Sequence, residues 1–268
     1  MQILSINSGS NGNAYYFGND QDAILIDAGL SCKQIEKRII ASGLSMEKVK
    51  AVFITHEHSD HVFGLRSLLK KFRIPVYISK NTLEASNLNL PEESIQFFES
   101  KIEISVGKFT ITPFPIHHDA ADPHGFYIIH AGKSAGIFND VGHVCDQVKY
   151  YFSKCDAAFL ECNYDEELLE NGSYPKYLKE RIKGPKGHLS NIQALELFKS
   201  HRSPRLKHLW LSHLSKENND PERVKSLFEQ ERSGVSLLIA ERNRQGPVID
   251  LNRKNQTKRN YNLQLELF

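Results

Sequence analysis

Residues Thr55-His56-Glu57-His58-Ser59-Asp60-His61, THEHSDH, decide how the rest of the chain is read. The run Ala51–Thr55 before them is apolar and β-branched, which predicts a buried strand that stops at His56. Four ligand-type side chains then fall within six residues: His56, His58, Asp60 and His61. His56 and His58 are two apart, so in extended backbone they face the same way. Asp60 and His61 are adjacent and must point differently. That arrangement suits two metal ions side by side, one per pair. The competing reading is a polar loop with chance histidines, but a strand end crowded with ligand-type residues has little structural use.

A first-row metal takes roughly four to six ligands, so the set must be completed from elsewhere. Three further candidates stand where strands should end. His118 follows Phe109–Ile116 in IHHDAADP, Asp140 follows Ala135–Asn139 in FNDVGH, and His213 follows Leu206–Leu211 in LWLSHLS. A carboxylate can bridge two cations, which would be the natural task of Asp140. Taken singly, Asp140 could be a helix cap and His118 or His213 a surface histidine. Together with THEHSDH they form a pattern that loop composition does not explain.

The same reading places strands at Ile3–Asn7, Ala14–Phe17, Ala23–Asp27, Val76–Ser79, Ile95–Phe98, Ile102–Val106, Phe126–His130, Ala157–Glu161 and Ser236–Ala240. Helices are expected from a Ser31 cap to Ala41, through Val62–Phe72, near Thr82–Leu88, and at Val144–Phe152, Asn191–His201 and Pro221–Arg232. Residues 162–187 read as irregular and partly helical. Consecutive strands with turn-length links argue for one α/β domain with mixed sheets over residues 1–251, followed by a polar tail, 252–268.

Composition narrows the class without choosing a function. The 268 residues are ample for a core, and a net charge of +2 does not by itself demand a nucleic-acid partner. No signal peptide or membrane-spanning run is visible, so a cytoplasmic protein with no membrane attachment is expected. Cys32, Cys145, Cys155 and Cys162 form no CxxC pair and read as buried thiols.

The ligand pattern resembles the metallo-β-lactamase superfamily, whose signature is HxHxDH followed by a His, an Asp and a His. The resemblance covers nearly the whole chain. It implies a four-layer αββα sandwich with two mixed sheets and a dinuclear site at one edge. By that resemblance His56, His58 and His118 hold one divalent ion, Asp60, His61 and His213 hold the other, and Asp140 bridges them. Zinc and manganese are the leading identities, with iron possible on the same donor set. HHDAADPHGFYI, Glu161 in FLECN, His188 in GHLSN and His213 in LSHLSK are similar to the ribonuclease Z branch of phosphodiesterases. The long Gly/Pro-rich insertion of that enzyme is missing, so tRNA 3′ processing is not expected.

A closer resemblance is to the YycJ/WalJ group. It is carried by SINSGSNGNAYYF, NDVGHV and above all LECNYDEELLENGSYPKYLKERIKGPKGHLSN. It implies a metal-dependent hydrolase, with DNA exonuclease action in replication or repair as the leading proposal. Small esters, lactams or cyclic phosphodiesters are the alternative substrates.

On this reading Asp60 orients the nucleophile, His188 donates the proton to the leaving group, and Glu161 supports His188. Ser8, Ser10, Asn11 and Asn13 in SGSNGN could present N–H groups to a phosphate, or form a plain tight turn. Lys179, Arg181, Lys183 and Lys186 could track a nucleic-acid backbone, or line a solvated helix face. Tyr174 and Tyr177 among them could stack on bases or pack. The final QLELF is similar to the motif by which bacterial replication proteins dock on the sliding clamp, through Gln264, Leu265, Leu267 and Phe268.

Overall fold

The computed structural model describes residues 1–253. The QLELF segment lies outside the described residues. Two seven-stranded sheets face each other. The first contains β1 (Gln2–Asn7), β2 (Ala14–Gly18), β3 (Ala23–Ile26), β4 (Val49–Phe53), β5 (Val76–Ile78) and β6 (Ile95–Phe97). The second contains β7 (Ile104–Val106), β8 (Phe109–Pro115), β9 (His124–His130), β10 (Lys133–Phe138), β11 (Ala157–Glu161), β12 (His208–Ser212) and β13 (Ser236–Ile239). A short β14 (Ile249–Asp250) returns to the first sheet and pairs antiparallel with β1. Neither β14 nor its pairing is legible in the sequence, because two residues carry no periodicity.

Strand alternation explains the layering. In β3, Ile24 and Ile26 face the opposite sheet, whereas Ala23 and Leu25 face helices. In β11, Ala157 and Phe159 point inward, and Ala158 and Leu160 point to the other helical layer. Both faces of each sheet are therefore buried, so these strands are apolar throughout. Phe53, Phe126, Phe159 and Trp210 fill the space between the sheets. α1 (Cys32–Ala41) and α3 (Leu65–Phe72) cover the first sheet; α5 (Asp146–Phe152), α8 (Asn191–His201) and α9 (Pro221–Glu229) cover the second. The result is the αββα sandwich.

One expectation needs correction. The helix expected through Val62–Phe72 is two helices, α2 (Ser59–Val62) and α3, broken at Phe63–Gly64. The break brings Gly64 against the 28–30 loop, where a Cβ would lie 1.8 Å from the Leu30 carbonyl oxygen. Residues 162–187, expected to be irregular and partly helical, contain α6 (Glu166–Asn171) and α7 (Lys176–Lys183); earlier in the chain, α4 (Lys80–Ser86) overlaps the helix expected near Thr82–Leu88. α7 buries none of its residues. Among the described residues, no helix is long and apolar enough to cross a membrane.

Candidate metal centre

Strands β10, β11 and β12 run parallel and in register, Phe138 beside Leu160 and Leu160 beside Leu211. Their C-terminal ends therefore lie side by side. Asp140, Glu161 and His213 emerge there within a few residues of one another in space. The chain turns sharply as it leaves the sheets. Asp27 (φ 61°), Asp140 (φ 53°) and His213 (φ 54°) all adopt the left-handed conformation. This costs on the order of 1 kcal/mol each for an L-residue. Such strain persists where the surrounding packing over-determines it, which is common at functional sites.

Three loops lock the THEHSDH segment in place. Asn13 N–H donates to the Asp60 carbonyl (2.7 Å), Ala28 N–H to the His61 carbonyl (2.8 Å) and His124 N–H to the Thr55 carbonyl (3.0 Å). Gly29 passes so close that a Cβ there would sit 1.7 Å from the Asp60 carbonyl oxygen. Ala121 N–H donates to Glu57 Oε1 (2.7 Å), which ties the His118 loop to the same segment.

The structure gathers the candidate ligands into two groups. Nitrogens of His56, His58 and His118 lie within 4.8 Å of one another, as do donor atoms of Asp60, His61 and His213. Asp140 lies between them, with Oδ2 3.2 Å from His61 Nε2 and Oδ1 3.9 Å from His118 Nε2. Hydrogen bonds at the far side of the rings set the tautomers. His61 Nδ1 donates to Asp27 Oδ2 (2.8 Å), and His118 Nδ1 donates to the Gly187 carbonyl (3.1 Å). Each leaves Nε2 facing the cluster, as the nitrogen that would bind a metal ion in place of a proton.

His188 and His213 converge on one carboxylate. Glu161 Oε1 accepts from His188 Nδ1 (2.7 Å) and from His213 Nδ1 (3.0 Å). Glu161 Oε2 accepts from the backbone N–H of Val141 (2.7 Å) and Leu189 (3.2 Å). Four donors thus hold a side chain that is fully buried.

The electrostatics are those of a site built for cations. Burial pushes His56 well down, and it lowers His118, so both imidazoles are neutral. Burial works against His61 too, but Asp27, Asp60 and Asp140 outweigh it and hold this imidazolium well above its ordinary range. For His213 burial is likewise outweighed, by Asp140, Asp60 and Glu161, and its pKa reaches about 10. His188 is raised because Glu161 and Asp140 overcome the cost of burying its charge. Asp60 stays ionised, since His61 and His213 overcome burial.

Buried carboxylates here demand positive charge, which protons on histidine otherwise supply. Two atoms in the cluster, Asp140 Oδ2 and His213 Nε2, are buried without a hydrogen-bond partner. Orphaned polar atoms of that kind, amid nitrogen and carboxylate donors, fit divalent metal ions.

Several expected substrate contacts are not free to meet a ligand. Ser8 Oγ accepts from His213 N–H (2.9 Å), and Asn13 Nδ2 donates to Asp60 Oδ2 (3.1 Å). The N–H groups of Ser8, Gly9, Gly12 and Asn13 all donate within the protein. SGSNGN is therefore a brace for the ligands rather than an open phosphate nest. Ser10 and Asn11 are exposed at its tip.

The basic run is also partly neutralised. Arg181 pairs with Asp119 (2.5 Å) and Lys183 with Glu170, while Lys179 donates to the Glu170 carbonyl (2.5 Å). Lys186 remains exposed, as does Tyr177, and Tyr174 is half-buried. Sequence reasoning missed Asp27, Thr55 and Asp119. Thr55 N–H donates to Asp27 Oδ1 (2.9 Å), and Asp119 Oδ1 lies 3.2 Å from His118 Nε2. Their one sequence signal is position, Asp27 at a strand end and the other two beside a candidate histidine.

A cluster of histidines and carboxylates at the edge of an αββα sandwich defines a metal-dependent hydrolase. The family model described as the metallo-beta-lactamase superfamily matches residues 8–168. Exodeoxyribonuclease YycJ of Bacillus anthracis is 34% identical over 239 residues, which is 88% of each chain. Exodeoxyribonuclease WalJ of Streptococcus pneumoniae is 34% identical over 217 residues, 79% of this chain and 81% of that one. Zinc-bound PqqB from Methylobacterium extorquens has the same fold, with a TM-score of 0.73 at 15% identity over 94% of this chain and 100% of that one. The short form of human tRNase Z matches with a TM-score of 0.63 at 18% identity, over 93% and 100%. The chain belongs to the metallo-β-lactamase superfamily, among its YycJ/WalJ-like members.

Proposed function

We propose that the protein is a dinuclear metal-dependent phosphodiesterase, and specifically a DNA exonuclease acting in replication or repair. One observation carries this reading: two groups of donors, His56/His58/His118 and Asp60/His61/His213, lie on either side of Asp140. Its relatives at 34% identity are named exodeoxyribonucleases, which supports DNA as the substrate.

Two divalent ions, zinc or manganese (or iron), would supply a nucleophile at neutral pH and compensate phosphate charge. The protein's own groups do the rest. Asp60 is partly exposed, with its carboxylate fixed by Asn13, and it orients the attacking water. His188 is the proton donor. Glu161 occupies its Nδ1, so Nε2 is the nitrogen that gives a proton to the departing oxygen. Glu161 is a positioning residue for both His188 and His213. Lys186, Ser10 and Asn11, all exposed near these groups, remain candidates for contact with the DNA backbone.

End-labelled single-stranded and duplex DNA, incubated with the purified protein and Mn²⁺ or Zn²⁺, tests the proposal. Stepwise shortening that Asp60→Ala abolishes is expected. Absence of cleavage in every metal, or equal cleavage by Asp60→Ala, would refute it. The sequence QLELF further supports docking on the bacterial sliding clamp through Gln264, Leu265, Leu267 and Phe268. Deleting residues 264–268 should abolish clamp pull-down and leave basal cleavage intact; retained pull-down would exclude the motif.

A further inference from the structure

A cavity of about 470 Å³ opens between the segment after His213 and the segment after β13. Leu214, Ser215 and Lys216 line one side, and Ala240, Arg242 and Arg244 line the other. It adjoins the metal-ligand cluster through Arg242. That guanidinium donates from Nη1 to the Leu214 carbonyl (3.0 Å) and from Nη2 to Ser10 Oγ (3.3 Å). It also lies against Gly9 (φ 126°), where a Cβ would come 2.6 Å from Nη1. Gly9 neighbours Ser8, whose hydroxyl accepts from the backbone N–H of His213.

The charge balance of the cavity is unusual. Arg244 pairs with Glu241 (2.7 Å) and Lys216 with Glu217 (3.4 Å), both on the exposed surface, where such pairs are weak and open readily. Arg242 is half-buried, and its two hydrogen bonds go to neutral oxygens. Among the described residues no carboxylate stands within ion-pair distance of it, although Asp60, Glu217 and the Tyr174 hydroxyl are within electrostatic reach. A partly desolvated guanidinium without a counter-ion is costly unless an anion completes it. Its planar fork matches a phosphate.

We propose that Arg242, with Lys216 and Arg244 beside it, forms a second phosphate site. It takes a backbone or terminal phosphate of the strand whose scissile bond lies at the metal cluster. The proposal rests on the phosphodiesterase reading and adds to it the residues that hold the strand. None of the three stands in the basic run before His188, so the strand would be gripped on the His213 side of the cluster.

The test is equilibrium binding of fluorescent oligonucleotides to the full-length protein in chelator, followed by fluorescence anisotropy across a salt series. Each phosphate contact contributes about 0.7 (single strand) to 0.9 (duplex) to the slope of log K against log salt. Arg242→Gln should lower the slope by about that amount and weaken low-salt binding roughly tenfold. Lys216→Ala with Arg244→Ala should lower it as well. Neither of those side chains braces the ligand loop, so a folding defect does not confound the second variant. Paired 5′-phosphate and 5′-hydroxyl oligonucleotides separate the two sources. Equal losses assign an internal phosphate, and a loss confined to the phosphorylated strand assigns the terminal one. Unchanged slopes in both variants, with the wild type binding normally, overturn the second site and leave the phosphodiesterase reading standing. A wild type that does not bind in this assay and cuts no DNA when supplied with Mn²⁺ or Zn²⁺ overturns both.

Discussion

Replacing Glu161 with glutamine changes one oxygen to an NH2 group and nothing in shape, yet no orientation of the new side chain fits. Oε1 faces two imidazole Nδ1 atoms, and Oε2 faces two backbone N–H groups. If the NH2 turns to the backbone, two buried N–H groups meet a donor, at about 1–3 kcal/mol each. If it turns to the imidazoles, His188 and His213 can keep a contact only by surrendering Nδ1–H. His213 then carries its proton on Nε2, the atom that is otherwise unpartnered in the cluster. Loss of such an outer partner typically weakens a metal site 10- to 100-fold, or about 1.4–2.8 kcal/mol. His188 simultaneously loses the doubly protonated form, and with it a general-acid contribution of about 10²–10⁴ in rate. Chelator competition measures the first effect, and single-turnover cleavage at saturating metal measures the second. Glu161→Gln with wild-type metal affinity and turnover within about threefold would refute the shared role of this carboxylate.

The two His-Leu-Ser segments should separate cleanly. His213→Ala should lose bound metal by elemental analysis, whereas His188→Ala should keep it and turn over about 10²–10⁴ more slowly at saturating metal; a His188→Ala protein stripped of metal would reverse the assignment. Asp27→Asn should weaken metal binding about 10- to 100-fold, because Asp27 holds the His61 tautomer through a 2.8 Å bond. Unaltered affinity in a chelator titration would count against that. Removing metal should lower the melting temperature, since occupancy at 100 times Kd contributes about 2.7 kcal/mol. A scan that does not move on chelation would mean the cluster holds no ion in the folded protein.

Much of the site is legible in the sequence because its ligands follow strands, and strands announce themselves by β-branched apolar runs. His56, His58, Asp60 and His61 fall within six residues, so local spacing is informative. His118, Asp140 and His213 each stand just past a run that reads clearly. The bracing by Ser8 and Asn13 was not legible for a physical reason: Gly/Ser/Asn composition marks a turn but does not say where its hydrogen bonds go. They go to His213 and Asp60. Arg181 and Lys183 looked like a free basic track because their acidic partners, Asp119 and Glu170, are 62 and 13 residues away in the chain.

By itself, then, the sequence determined one α/β domain with mixed sheets, the ligand types and their order, since these follow from strand periodicity and donor chemistry within short windows; the αββα layering was only implied by the family resemblance. Tertiary structure alone decided the rest. Parallel register brings Asp140, Glu161 and His213 to one edge, and left-handed turns at Asp27, Asp140 and His213 lead the chain sharply off the strands there. That convergence makes Glu161 the common partner of two histidines 25 residues apart and recruits Asp27 to His61. Such pairings depend on which strand ends become neighbours, a long-range outcome of sheet packing that no local pattern encodes.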